Sequence, residues 1–282
     1  MVSSINFYLS SLPNLYDTNN LNLAQTLQKM VSGKNFQNPS EDITDYFRSQ
    51  DLNEQYDEYS DIQKNLTEWQ GVMSTASTAA GEVYSDLQKM QELSQGYASA
   101  DAGTQASSTT EYKTLYTDIA NILLSTTDNG LELLWNQAAT PLTTIDLTPN
   151  ATQNQQLDIT LGQAIGTYGD GGAKYAALNP GAGQNIGDMG SAISGALTDV
   201  QSFIGKVSGY QTAIQSHLNI TAASMTNLQS FSSTLTDIDQ AQVTQTYTQQ
   251  EIMQQAGAAM LAQANLDQRN VLLLYQFPQL QI

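Results

Sequence analysis

The chain has 282 residues, enough at roughly 150 per domain for about two domains and a sizeable core. Nine Lys and Arg against 27 Asp and Glu leave a net charge of −18, and the two arginines, Arg48 and Arg269, cannot build the basic face that nucleic acid or an anionic membrane requires. Charged residues make up 13% of the chain against a usual share of about 25%, so Gln, Asn, Ser and Thr form most of the polar surface, and the lack of Cys excludes disulfides and thiolate metal sites.

The opening MVSSINFYLSSLPNLYD carries neither the basic nor the apolar stretch of a Sec-type signal, and no run of about 18 apolar residues is present to cross a membrane. Ile5, Leu9, Leu12, Tyr16, Leu23, Leu27 and Met30 recur at helical intervals, and Pro13 is expected to break that helix. Asn38-Pro39-Ser40-Glu41-Asp42 predicts the next helix start: a cap residue, a proline at an early helical position, and acids at the positive dipole end. From Leu52 the apolar positions Tyr56, Tyr59, Ile62, Leu66, Trp69, Met73, Ala76, Ala80, Val83, Leu87 and Met90 keep one seam as far as Leu93. A third helix is predicted over about Thr109–Ser125, stopped by the Asn129-Gly130 turn signal.

Residues 141 to 161 hold two alternating stretches, Thr143–Leu147 and Leu157–Leu161, around a Pro-Asn turn, and predict a β-hairpin. Residues 162 to 190 are glycine-rich and predict a loop. A second long seam follows over 197 to 238 through Leu197, Val200, Ile204, Val207, Gln211, Ile214, Leu218, Thr221, Met225, Leu228, Phe231, Leu235 and Ile238. Ile252, Ala256, Met260, Gln263, Leu266, Asn270 and Leu273 make the far end amphipathic as well. The expected fold class is mainly α: a long antiparallel helical coiled-coil bundle with one small β-hairpin.

Little in the chain points to chemistry. His217, the single histidine, lies beside the seam residue Leu218, and one imidazole with no Cys cannot make a metal site. Glu41-Asp42 and Asp57-Glu58 are better explained by helix starts and solvation than by acid and base work, since adjacent helix residues diverge by about 100°. Gly169-Asp170-Gly171-Gly172 lacks the Lys-Ser/Thr of a P-loop and the ligand spacing of an EF-hand. The 14 tyrosines fall largely at seam spacing and read as packing residues. No catalytic residue, metal ligand or cofactor is expected.

Two stretches carry a family resemblance. Ser32-Gly33, seven residues, then Glu41-Asp42 resembles the N-terminal pattern of bacterial flagellins. The tail Gln254-Gln255-Ala256-Gly257-Ala258-Ala259-Met260-Leu261-Ala262-Gln263-Ala264-Asn265, with Asn270-Val271-Leu272-Leu273-Leu274 after it, is similar to their terminal helix, Gln255, Ala256, Gly257, Ala262 and Asn265 among the matching positions. Glu92-Leu93 also matches, without the arginines of the family's innate-receptor motif. Asn35 stands where the family has Arg, Ile43-Thr44-Asp45 replaces small residues, and the chain continues past Leu274.

The resemblance implies a minimal flagellin without outer domains. Its terminal coiled-coil domain, residues 1–35 plus 240–282, would form the filament inner core, and residues 36–239 a helical rod with the hairpin near 141–161 and the loop near 162–190. It implies a structural subunit that self-assembles into the flagellar filament for motility, outside the cell, after type III export. Hook-junction and cap proteins and an export chaperone would be its partners besides itself. The alternatives are a hook–filament junction protein and a secreted adhesive or binding module. On the filament reading the subunit-interface residues expected are Ile5, Leu9, Leu12, Leu27 and Met30 with Ile252, Ala256, Met260, Leu273 and Leu274, because isolated amphipathic helices are marginal in water and stacked copies bury their stripes.

Overall fold

The computed structural model describes residues 2–128, 130–135, 143–149, 155–165, 173–181 and 184–276. In chain order it contains α1 (Val2–Ser32), α2 (Ile43–Gly96), α3 (Ala102–Ser125), β1 (Thr127–Asp128), β2 (Leu131–Glu132), β3 (Thr143–Asp146), β4 (Gln156–Ile159), α4 (Ala173–Ala176), α5 (Gly190–Thr236) and α6 (Gln240–Gln276). The chain forms two compact units, one joining Met1–Glu54 to Leu228–Ile282, the other Gln55–Asn227.

The second unit holds the apolar core. Along α2 the predicted seam is buried at Ile62, Leu66, Met73, Ala76, Ala80, Val83, Leu87 and Met90, with Trp69 half-buried between them. These positions alternate three and four residues apart, which keeps them on one side of the helix over several turns. Within this unit α5 runs antiparallel to α2. Gln70 Nε2 donates to Gln215 Oε1 at 2.9 Å and Gln91 Nε2 to Ser194 Oγ at 3.4 Å, so the pairing keeps step between two well-separated points. On α5 the core side is Ile193, Ala196, Val200, Phe203, Val207 and Ile214.

Helix α3 begins well before Thr109, because Asp101 caps it: Oδ1 accepts from the N–H of Gly103 and of Thr104, both at 2.9 Å. It buries Tyr112, Ile119 and Leu123. The turn signal at its end does more than stop it. Gly130, at φ +82°, serves a two-residue connection that pairs Thr127 with Glu132 and Asp128 with Leu131, a short antiparallel pair the sequence reading missed.

The expected hairpin forms between β3 and β4, in the register Thr143 to Ile159 and Asp146 to Gln156. Ile145 and Ile159 enter the core, while on the outer face Thr144 donates to Asp158 at 2.7 Å and Gln156 to Asp146 at 2.7 Å. Tyr210 of α5 fixes the hairpin's exit: its hydroxyl accepts from the Thr160 N–H at 3.0 Å and donates to the Thr160 carbonyl at 3.3 Å.

The glycine-rich stretch is not all loop. Residues 173–176 form α4, Ile186–Met189 form a 3₁₀ turn, and Leu178 and Ile186 are fully buried. Two tyrosines of α3's neighbourhood hold this segment. The Tyr112 hydroxyl donates to the Leu178 carbonyl at 2.8 Å, and Tyr175 donates to the Tyr116 carbonyl at 2.7 Å while its ring stacks on Tyr116 at 4.6 Å. Burial pushes the phenols of Tyr112 and Tyr175 well above the usual tyrosine range. Gly169-Asp170-Gly171-Gly172 lies outside the described residues.

In the first unit α1 pairs with α6. Helix α1 runs through Pro13 without the expected break, since a proline removes one backbone donor and the flanking turns keep theirs. The start of α2 also differs. Residues 39–41 form a turn, with the Glu41 N–H donating to the Asn38 carbonyl at 3.1 Å, and the helix begins only after Asp42. Pro39 therefore stands outside the helix and Asn38 does not cap it.

Candidate functional site

The Ser-Gly and Glu-Asp signatures resolve into helix punctuation. Gly33 adopts φ +69°, the left-handed conformation that ends many helices, and its N–H donates to the Lys29 carbonyl at 2.9 Å. Ser32 Oγ donates to the same carbonyl at 3.2 Å and accepts from the Lys34 N–H at 3.2 Å. At the other end of the linker Asp42 Oδ1 accepts from the Asp45 N–H at 2.9 Å, capping α2, and Glu41 accepts from the Gln37 N–H at 3.3 Å. Phe36 is buried and lies edge-on to Tyr46 at 6.2 Å.

The second linker of this unit mirrors the first. Asp239 caps α6, accepting from the N–H of Ala241 at 2.9 Å and of Gln242 at 3.2 Å. Between the linkers the Asn35 N–H donates to the Thr236 carbonyl at 2.7 Å and the Ile238 N–H to the Gly33 carbonyl at 3.2 Å, with Lys34 opposite Asp237 in an antiparallel bridge. Lys34 Nζ reaches Asp237 Oδ1 at 2.7 Å and Thr236 Oγ1 at 3.1 Å, and Ser233 Oγ donates to Asp237 Oδ2. Those donors, the Lys34 ammonium first, hold the Asp237 carboxyl below the usual carboxylate range.

The α1–α6 seam is legible as two heptad patterns. Among the described residues Tyr16, Asn19, Leu23, Thr26 and Met30 form the heptad series of covered positions on α1, with Asn20, Lys29 and Ser32 covered beside it; Val243, Tyr247, Gln250, Gln254, Gly257 and Leu261 are the covered positions of α6. The seam is as polar as it is apolar. Asn19 Nδ2 donates to the Gln250 carbonyl at 2.9 Å, and Gln254 Nε2 donates to Asn20 Oδ1 at 2.7 Å. The sequence reading missed these amides because on α6 it followed the greasier stripe; Gln250 and Gln254, four residues apart on one face, were the available signal.

That greasier stripe lies away from the seam, with Ile252, Ala256 and Leu266 on the far side of α6 and Met253 and Met260 on its flank. Ile252, Met253, Met260 and Leu266 are 50–60% exposed, and Ala256 is exposed among them. On α1 Met30 is half-buried in the seam, Leu27 is half exposed at its edge, and Leu15, Leu21 and Val31 face outward. Ile5, Leu9 and Leu12 fall within α1 and Leu273 and Leu274 within α6, but their side chains lie outside the described residues. Of the motif residues, Gln255 and Ala262 are exposed, Gly257 is half-covered in the seam, and Asn265 is a helical position of α6 whose side chain lies outside the described residues. Glu92 and Leu93 are in α2, Leu93 packed on the core and Glu92 exposed.

The remaining candidates take structural places. His217 is half-buried on α5, Asp57 and Glu58 are exposed on α2, and six tyrosines pack against the core as partly buried neighbours. Among the described residues no group of three His, Cys, Asp or Glu side chains is arranged to hold a metal, and no helix is long and apolar enough to cross a membrane. What this geometry offers is a surface: a helix pair closed by amides on its inner side and apolar on its outer side.

Both ends of the chain match regions of a known family. Residues 4–139 match the family described as the bacterial flagellin N-terminal helical region, and residues 191–275 match the bacterial flagellin C-terminal helical region. The chain is 28% identical over 264 residues to a flagellin of Halalkalibacterium halodurans, covering 90% of this chain and 93% of that protein. It is 26% identical over 291 residues to a flagellin of Bacillus subtilis, covering 93% and 95%. The flagellar filament 30.7 kDa core protein of Treponema maltophilum is 24% identical over 281 residues, covering 95% and 98%. With both end regions matched and the relatives aligned almost from end to end, the chain belongs to the bacterial flagellin family.

Proposed function

We propose that this chain is the structural subunit of a bacterial flagellar filament, and that copies stack through their terminal helices. The observation that carries this is the exposed apolar stripe on α6: Ile252, Ala256 and Leu266 on the side away from α1, with Met253 and Met260 exposed on the flank. An apolar strip of that length on a single chain is a surface awaiting a partner. A second copy removes it from water, and a contact between unlike faces of identical subunits repeats without closing, which generates a helical polymer. Assembly and ordering of the ends then reinforce each other by mass action.

In this reading residues 1–35 and 240–282 supply the filament inner core, with Ile5, Leu9, Leu12, Leu27 and Met30 meeting Ile252, Ala256, Met260, Leu273 and Leu274 between copies. Residues 36–239 form the surrounding helical layer. The subunit works by packing and catalyses nothing. It leaves the cell by the flagellar type III route with the help of a chaperone, and it meets a cap protein at the growing tip and hook-junction proteins at the base. The relatives, two named flagellin and one a filament core protein, support the filament over the junction.

Electron microscopy of the purified chain after salt-induced assembly tests the reading. Long filaments of uniform width are the expected result, and a chain that stays monomeric at high protein concentration, with seeds added, overturns it.

A further inference from the structure

We infer that the paired linkers, with Lys34 and Asp237 as positioning residues, are the device that sets the register between α1 and α6. The need for one follows from the seam. Its covered positions recur at heptad spacing along α6, and a slide of one heptad would set Asn20 against Tyr247 or Leu261 in place of Gln254, on the same covered face. Leu23, Met30, Val243 and Tyr247 offer little shape that distinguishes one heptad from the next.

The linkers have no such freedom. Gly33, turned by its left-handed backbone, presents its carbonyl to Ile238, and Asn35 donates to Thr236, so two opposed backbone bonds are made at a single pairing. Lys34 and Asp237 close it with the ion pair at 2.7 Å and the added bond to Thr236. A slide by one helical turn, about 5.4 Å, breaks both backbone bonds and the ion pair together. The register set there continues down the helices. Residue 34 stands opposite 237, 19 and 20 bond to 250 and 254, and 16 meets 257, so from the linkers onward the two helices run antiparallel in one register. This holds for the single chain, whether or not copies stack.

The chain's lack of Cys makes the test direct. Asn20→Cys is combined with Gln254→Cys for the native register, and with Tyr247→Cys or Leu261→Cys for slipped ones. Each full-length pair, at high dilution, is treated with a short bis-maleimide, and intrachain product is scored by mass spectrometry. The native pair is expected to react about tenfold faster than either slipped pair, a preference that falls to within about twofold when Asn35→Pro and Ile238→Pro remove the linker donors and Lys34→Ala removes the ion pair. With the backbone donors intact, Lys34→Asp alone is expected to lower the preference and Lys34→Asp with Asp237→Lys to restore it. An unchanged preference in the linker variant overturns the inference. So does loss of all three products together, which would make the linkers a condition for pairing and not for its register, or failure of the parent chain to favour the native pair.

Discussion

Gly257 of α6 lies against the ring of Tyr16 of α1: a Cβ at residue 257 would stand 3.4 Å from Tyr16 Cδ2, at ordinary contact distance. The helix therefore has room for one more carbon there and no more. Gly257→Ala is expected to be accommodated and to stabilise α6 by about 0.5–1 kcal/mol, the usual helix advantage of Ala over Gly. Gly257→Leu is expected to force the ring aside and to lower the melting temperature of the terminal pair. Circular dichroism of the two variants checks the opposite signs.

The outward stripe of α6 predicts a separation of folding from assembly. Ile252→Lys with Met260→Lys puts two charges on exposed positions, where substitution changes chain stability by no more than about 0.5 kcal/mol. Helical content should be unchanged while filament formation is lost, because each buried, unpaired ammonium at a contact between copies is costly. Sedimentation after seeding gives the readout. Full assembly of the double variant would contradict the placement of the contact.

Tyr112 is buried, and its hydroxyl bonds the Leu178 carbonyl. Tyr112→Phe leaves that carbonyl without its donor and is expected to cost about 1–3 kcal/mol in denaturant unfolding. The pH dependence has a fixed sign. The folded phenol titrates above the unfolded one, so its contribution is intact below about pH 10 and is lost as pH rises toward the folded value. The parent should therefore weaken steadily in alkali, and Tyr112→Phe should weaken less steeply, with Tyr175 supplying the remainder.

Two residues of the same predicted type should behave differently. Leu87→Ala opens a cavity in the core and is expected to cost about 2–5 kcal/mol. Phe231, at a seam position of α5 by sequence, is 64% exposed, and Phe231→Ala should cost less than about 0.5 kcal/mol. Chemical denaturation of the two variants separates core from surface among the predicted seam positions of α2 and α5.

Phe231 also illustrates where sequence periodicity stops. Along α2 from Ile62 to Met90 the predicted seam is the buried one, because a core on one side imposes its spacing on every turn. On α6 two stripes share the helix, and the more apolar one is exposed, so hydrophobicity alone selects the surface away from the α1 seam. The caps were readable only to within a few residues: Asn38 and Asp42 are both good cap residues, and the bond to Asp45 decides between them. The order in residues 173–181 was not readable locally. It comes from Tyr112 and from Tyr116 with Tyr175, where α3 lies far from α4 in sequence.

The amide-rich seam has a consequence for the life of the molecule. The bonds that Asn19 and Gln254 make across the seam are replaced by water at little cost, and the apolar side chains beside them are only partly covered, so α1 and α6 unzip more cheaply than the fully buried Leu and Met column of α2 comes apart. Fraying should then begin at the tips and halt at the linkers. A chain built this way can be drawn out end first through a narrow passage and knit itself together again on the far side.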